Sequence, residues 1–339
     1  MSQNKIKKMI TRHPFWRYMS LVLTGAMIAA FSAFLILPAY AQPTPKMPAF
    51  VKGIKQIQFA SPQKAFDALV NAAANDDARE LLYILGPEGK DVISSGDPVA
   101  DTAARARFSM EAAKGVSFRQ LDKNAVLAEI GADGWTFPIP LVKKGDSWVF
   151  LTEEGKQEII DRRIGRNELN TISASLAYVD AQREYAQVNG GGGHGVLYAQ
   201  NFISHEGSHD GLYWPGHAGS PLGPFFARAD CGNGSSSRNS ERPVPYYGYY
   251  YRILKRQGSH APGGEMDYVS GGKMTSGFGL IAYPARYGVS GVMTFIVNQQ
   301  GIVYEKDLGP NTEQIANTIK AYDPDETWKK VDVKEASLN

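Results

Sequence analysis

The chain has 339 residues, of which 43% are hydrophobic and 21% are charged. That length favours two domains, and that composition is typical of a globular protein able to bury a core. The net charge is only +2, so neither a nucleic-acid partner nor an acidic surface as partner is predicted.

The N-terminus has the pattern of a secretory signal peptide. Residues 1–17 carry five basic and no acidic residues, and an apolar run over 18–37 ends at Pro38. Ala39 and Ala41 then supply the small residues of a cleavage site. Because the apolar run is nearly long enough to span a bilayer, an uncleaved anchor is the alternative. Either interpretation places the rest of the chain in the periplasm or outside the cell, with membrane contact only through an uncleaved leader.

Residues 42–55 are rich in proline and predict a linker, and residues 56–165 predict an α+β domain. Ser61-Pro62 is typical of a helix start, with serine as N-cap and proline in the first turn. A second short helix ends at Gly86-Pro87, and a third helical segment runs from about Val99 to Lys114. These helices form the first half of the predicted domain.

After Gly115 the apolar pattern changes from helical spacing to alternation. A strand is predicted over 126–130, and aromatic residues alternating over 135–141 and 148–150 predict a hairpin. A last helix is predicted from Glu153 toward Arg163. Helices followed by a curved antiparallel sheet indicate a cone-like α+β fold.

Residues 166–330 predict a second α+β domain, with 331–339 as a tail. It begins with an amphipathic helix over 167–187. A long loop over 190–245 separates this helix from an antiparallel meander, whose strands are predicted near 247–254, 278–283, 291–298 and 302–304. A tight turn at 298–301 joins the last two strands.

The motifs over 169–186, 210–215, 220–224 and 249–310 closely resemble Domain of Unknown Function 2950, an uncharacterised family of exported bacterial proteins. Residues 61–148 also fit that family, so the resemblance covers nearly all of the chain after the leader. It implies export and brings no biochemical activity.

The second domain alone also resembles the headgroup of type IV pilins and pseudopilins. The matching features are a helix containing Tyr178 and Tyr185, followed by strands with the segments 249–251, 282–284 and 294–304. A pilin, however, has its apolar helix fused directly to the headgroup helix. Here a whole domain intervenes, so the likeness describes the fold without implying a filament.

The loop over 190–245 contains four of the six histidines. His205 and His209 stand four residues apart, a spacing that binds zinc when both lie on one helix face. Two glycines among the surrounding residues argue against such a helix. No Gly-x-Ser-x-Gly elbow, phosphate loop or Cys-x-x-Cys-His motif is present. No catalytic residue and no cofactor are therefore predicted, and His205 and His209 remain the only metal candidates.

Tyrosines at both faces of one predicted strand indicate a possible interaction surface. It comprises Tyr247, Tyr249 and Tyr251, together with Tyr213 and Trp214 of the long loop. Such a surface could bind a glycan or a protein partner, but large open aromatic patches are rare on monomers. We therefore favour the alternative in which other parts of the protein cover it.

Three functions follow from these features. The first is a non-enzymatic interaction or structural protein of the envelope, with an envelope protein as partner and a possible link to a secretion or pilus-like assembly. The second is a periplasmic protein that binds a small ligand or a glycan. The third is a metal-dependent hydrolase built on the loop histidines.

Overall fold

The computed structural model describes residues 53–189, 196–214, 219–229 and 243–332. Helices and antiparallel sheets form the predicted α+β architecture. The predicted cleavage residues Ala39 and Ala41 lie outside the described residues. Among the helices of the described part, none combines the length and the hydropathy needed to cross a membrane.

The chain divides into two compact units. Of the described residues, 53–87 and 109–154 belong to the first unit, and 88–108 and those from 155 onward belong to the second. This division differs from the predicted boundary at 165–166. Residues 88–108, expected in the first domain, belong to the second unit.

The first unit begins with two helices, α1 (Pro62–Ala74) and α2 (Ala78–Leu85). The Ser61 hydroxyl accepts a hydrogen bond from the Lys64 backbone N–H at 3.2 Å, and Pro62 is the first helical residue. This confirms the predicted N-cap. Two further helices follow in the chain, the short α3 (Lys90–Ile93) and the 16-residue α4 (Pro98–Ala113), and both begin in the second unit.

The sheet of the first unit has five antiparallel strands. They are β1 (Val116–Asp122), β2 (Ala125–Ile130), β3 (Trp135–Thr136), β4 (Leu141–Lys144) and β5 (Ser147–Phe150). The run predicted as one strand over 135–141 is interrupted, because Pro138 and Pro140 lack the N–H that a ladder requires. Phe66 of α1 packs edge-on against Phe137, with ring centroids 5.7 Å apart, and this aromatic contact lies in the core.

One helix, α5 (Thr152–Asn189), runs for 38 residues where two helices were predicted. Gly165 lies at the point where we expected the break. A single glycine inside a helix costs only about 1 kcal/mol relative to alanine, and there is no proline to remove a hydrogen bond. The helix therefore continues through the predicted domain boundary.

The remaining elements all belong to the second unit. The predicted long loop contains the parallel pair β6 (Asn201–Ile203) and β7 (Gly211–Tyr213) and the short helix α6 (Pro224–Ala227). The elements after it are β8 (Tyr249–Leu254), β9 (Arg256–Gln257), β10 (Met266–Asp267), β11 (Val269–Ser270), β12 (Lys273–Met274), β13 (Gly279–Pro284), β14 (Met293–Asn298), β15 (Tyr304–Asp307), α7 (Thr312–Thr318) and β16 (Lys329–Lys330).

The main sheet of the second unit is the predicted antiparallel meander, in the order β16-β15-β14-β13-β8. The turn between β14 and β15 closes with the Gly301 N–H donating to the Asn298 carbonyl at 2.9 Å. Apolar residues of α5, among them Ile172, Tyr178 and Val179, share a buried cluster with residues of this sheet. A long helix packed on the meander is thus confirmed.

A buried glutamine forms hydrogen bonds between α5 and the segment that follows this helix. Gln182 is fully buried, and its side-chain amide pairs with the Ala199 backbone through two hydrogen bonds of 2.8 and 2.9 Å. Its nitrogen also donates to the Tyr178 hydroxyl at 3.0 Å. Ala199 is itself buried, so no water replaces these bonds if the amide is removed.

We expect Gln182→Leu to lower the free energy of unfolding of the second unit by roughly 2–4 kcal/mol, because it leaves both Ala199 backbone groups buried without partners. Gln187→Leu makes the same replacement at an exposed position of the same helix and should change stability by less than about 0.5 kcal/mol. Urea unfolding followed by circular dichroism measures both. Equal stability of the two variants would contradict the role given to Gln182.

Candidate functional site

The structure corrects the predicted tyrosine surface at two of its positions. Tyr249 and Tyr251 are both 0% exposed. The Tyr249 hydroxyl donates to the Met293 carbonyl at 2.9 Å, and the Tyr251 backbone N–H donates to the Ala229 carbonyl at 3.0 Å. Both side chains belong to the buried cluster that contains residues of α5, so they offer no surface to a partner, as in the covered alternative that we favoured.

Tyr213 and Trp214 are half-buried and belong to the loop that contains the histidines. The Trp214 indole stacks on the His209 imidazole, with centroids 4.5 Å apart and planes at 17°. The Ser220 hydroxyl accepts a hydrogen bond from the Trp214 backbone N–H at 2.8 Å. These contacts hold Trp214 within its own loop.

His205 and His209 lie in a turn and not in a helix. His205 pairs through Nδ1 with the Asp210 carboxylate at 2.5 Å. Although partial burial raises the pKa of Asp210, hydrogen bonds from Ser208 and His205 lower it to about 2. Within the described residues no group of three or more metal-ligating side chains occurs. His194 and His217 lie outside those residues.

The structure instead brings together a pocket that the sequence did not indicate. It has a volume of about 350 Å³ and lies entirely within the second unit. One wall is the α4 face with Val99, Ala103 and Arg107, and a second is the α5 face with Arg166 and Asn170. The remaining wall is formed by Arg228 and by the segment 244–247.

Among the described residues that line the pocket, Asp97 is the one that is acidic, and its carboxylate accepts hydrogen bonds from the backbone. It accepts hydrogen bonds from the Ala100 N–H at 2.9 Å and from the Gly248 N–H at 2.8 Å. Burial raises its pKa, and these hydrogen bonds act in the opposite direction. Asp97 thus caps α4 and positions the turn at Gly248, and it neutralises no arginine of the pocket by direct pairing.

Arg107 and Arg166 face the pocket as neighbouring like charges. Burial lowers the pKa of Arg166, and the positive charge of Arg107 lowers it further. Within residues 53–189, 196–214, 219–229 and 243–332, neither guanidinium forms an ion pair with a carboxylate. Both residues are exposed to solvent, which weakens the repulsion between them but leaves both guanidinium groups available to a negative charge.

Arg228 is held at the pocket by backbone hydrogen bonds on either side. Its carbonyl accepts from the Val244 N–H at 3.0 Å, and the next residue, Ala229, accepts from Tyr251 of β8. The edge of the main sheet therefore places the third arginine opposite the two helices. Arg228 thus joins Arg107 and Arg166 in the lining of the pocket.

Tyr246 and Tyr247 form the aromatic part of the lining, with ring centroids 4.2 Å apart. They stand at a two-residue turn closed by hydrogen bonds between Tyr246 and Tyr249 in both directions. Tyr247 is 38% exposed. Of the predicted surface residues, Tyr247 is therefore the one that lies at the pocket.

Sequence reasoning missed Asp97 and the arginines for a physical reason. Arg107 and Arg166 stand on separate helices, and no motif or spacing connects them. Asp97-Pro98 does carry a local signal, since an acidic N-cap followed by proline is typical of a helix start. The signal locates the start of α4 and says nothing of the pocket.

A family model described as "Protein of unknown function (DUF2950)" matches residues 56–331 of the chain. The match spans both units. Neither a search of curated proteins nor a search of solved structures found a match. The site must therefore be interpreted from its own geometry.

We expect Asp97→Ala to lower the free energy of unfolding of the second unit by roughly 2–4 kcal/mol, since it removes an N-cap and leaves the Gly248 N–H buried without an acceptor. Asp180→Ala removes an exposed carboxylate of α5 and should cost less than about 0.5 kcal/mol. Denaturant unfolding of both variants measures this. A loss at Asp97 no larger than that at Asp180 would rule out the bridging role.

Proposed function

The chain belongs to the DUF2950 family of proteins of unknown function, and we propose that it binds a small anionic ligand in the pocket between α4, α5 and the segment 244–247. The observation that carries the proposal is the pair Arg107 and Arg166. Both line the pocket without a carboxylate partner among the described residues, and Asp97, the acidic residue of the described lining, is already hydrogen-bonded to the backbone.

A bound anion would remove the repulsion between the two guanidinium groups. Arginine is suited to this, because its planar group donates two parallel hydrogen bonds to a carboxylate or phosphate. The volume of about 350 Å³ is in the range of pockets for small molecules. The proposal corresponds to the small-ligand binder of the sequence analysis, at a place that the sequence did not indicate.

The proposal includes export, since the leader pattern over residues 1–41 predicts a protein of the periplasm or the extracellular space. An interaction protein of the envelope is the second candidate. The packing of α5 on an antiparallel meander favours it, because this is the arrangement that the likeness to pilin headgroups implies. We favour the anion-binding function because the packing of the described residues gives Arg107 and Arg166 no carboxylate partner.

The central experiment is calorimetric titration of the mature protein with inorganic phosphate and with citrate at low ionic strength. Arg107→Gln and Arg166→Gln should each weaken anion binding by at least about tenfold, because each removes a charge-assisted hydrogen bond of roughly 1.5–3 kcal/mol. Without anion, Arg166→Gln should unfold at the same or a higher temperature than the unmodified protein, since like-charge repulsion is relieved.

Arg183→Gln is the matched control for the titration. Arg183 is an exposed arginine of the same helix, and it lies outside the pocket with Asp180 and the Gln299 carbonyl as partners. It changes the net charge by the same amount and should leave the affinity unchanged. Equal weakening by all three substitutions would indicate a general charge effect and would reject the pocket as the site.

Cell fractionation followed by cross-linking tests the export and the second candidate together. We expect the protein in the periplasmic or secreted fraction, with Gln42 as the first residue if Ala41 ends the leader. Reproducible cross-links to one envelope protein would favour the interaction function. Recovery from the cytosol with the leader intact would contradict export.

A further inference from the structure

The turn at the pocket holds one residue in an unfavourable backbone conformation. Tyr247 has φ 54°, in the left-handed region, and Gly248 follows with φ 75°. Two positive φ values in a two-residue hairpin turn are typical of type I′, which favours Asn-Gly. A bulky side chain at the first of these positions is uncommon.

The turn itself is fixed by its surroundings. A Cβ at Gly248 would stand 2.6 Å from the Asn167 amide nitrogen and 3.0 Å from the Ser290 Cβ, so glycine is required there. Asp97 accepts the Gly248 N–H. At Tyr247, in contrast, asparagine would suit the left-handed backbone better than tyrosine does.

The Tyr247 ring is placed where a ligand can touch it. It is 38% exposed at the pocket, and its other side is supported by the Tyr246 ring at 4.2 Å. Burial raises the pKa of the Tyr246 hydroxyl, and its hydrogen bond with Tyr247 raises it further. Tyr246 is thus the supporting ring and Tyr247 the accessible one.

Part of the pocket lining around Tyr247 is apolar. Val99 is 53% exposed at the pocket, beside Ala100, Ala103 and Pro245. A bare inorganic anion would use the arginines alone and would leave these groups and the tyrosine ring in contact with water. The lining is therefore suited to a ligand with a charged end and an apolar face.

We propose that the ligand carries a ring beside its anionic group, and that Tyr247 is the specificity-determining residue that stacks on the ring face. This inference rests on the anion-binding function proposed above. Both an aromatic ring and a sugar ring present a face of this kind to tyrosine. The strained turn is retained because it directs the Tyr247 ring into the pocket.

The test compares three probes that share a phosphate group: inorganic phosphate, phenyl phosphate and glucose 6-phosphate. In calorimetric titration of the mature protein, at least one of the two ring-bearing probes should bind tenfold or more tightly than inorganic phosphate. The tighter one tells whether the ring is aromatic or a sugar. Similar affinities for all three probes would overturn the inference.

Tyr247→Asn creates the favoured Asn-Gly turn and removes the ring. It should reduce the preference for the ring-bearing probe over inorganic phosphate to below threefold and raise the Tm. Tyr247→Phe keeps the ring and should keep the preference. An unchanged preference in Tyr247→Asn would overturn the inference while the anion-binding function stands, whereas a protein that binds none of the probes would refute both.

Discussion

The geometry of the pocket depends on one buried carboxylate. Asp97 is 1% exposed and accepts backbone N–H groups from two separate parts of the second unit, the first turn of α4 and the turn at Gly248. A buried charge is costly unless hydrogen bonds compensate for it, so neither donor can move away without leaving the carboxylate unsatisfied. The α4 wall and the Tyr247 wall are thereby fixed with respect to each other, and the distance between arginines and tyrosine is set by this link.

The arginines of this region are of two kinds, and their partners distinguish them. Arg105, Arg163 and Arg286 donate to carbonyl oxygens of α3 and of the residue after it, at 2.9 Å from Arg105, 2.6 and 2.5 Å from Arg163 and 2.8 Å from Arg286. They satisfy groups that a helix end leaves without partners. Arg107 and Arg166 have no such structural duty among the described residues, and the pKa of Arg166 is lowered by burial and by Arg107. A cluster of arginines does not by itself indicate a ligand site. Arg107 and Arg166 do indicate one, because in the described part of the chain they lack the partners that the other three arginines have.

The sequence predicted the elements better than their grouping. Local signals were sufficient for the helix start at Ser61 and for the strands of the meander, because capping and alternation act over a few residues. The continuous helix through Gly165 was missed, since a weak helix former is overridden by the packing on either side of it. The tyrosine strand was placed well and its burial was the favoured alternative, but the residues that contact it could not be named, because they come from distant parts of the chain, such as Ala229. The pocket could not be predicted at all, as its arginines come together only through tertiary packing.

Two local rules are broken at the same pocket, and this convergence is the strongest argument for function. Arg107 and Arg166 place like charges side by side, although their exposure to solvent weakens the repulsion, and Tyr247 has a left-handed backbone. Each could be relieved by a single substitution, to glutamine or to asparagine, without disturbing the hydrogen bonds of Asp97. Features that destabilise a fold and are easily removed persist when they serve binding. A ligand with a negative group and a ring face would satisfy both at once, which neither a purely structural role nor a bare anion would do.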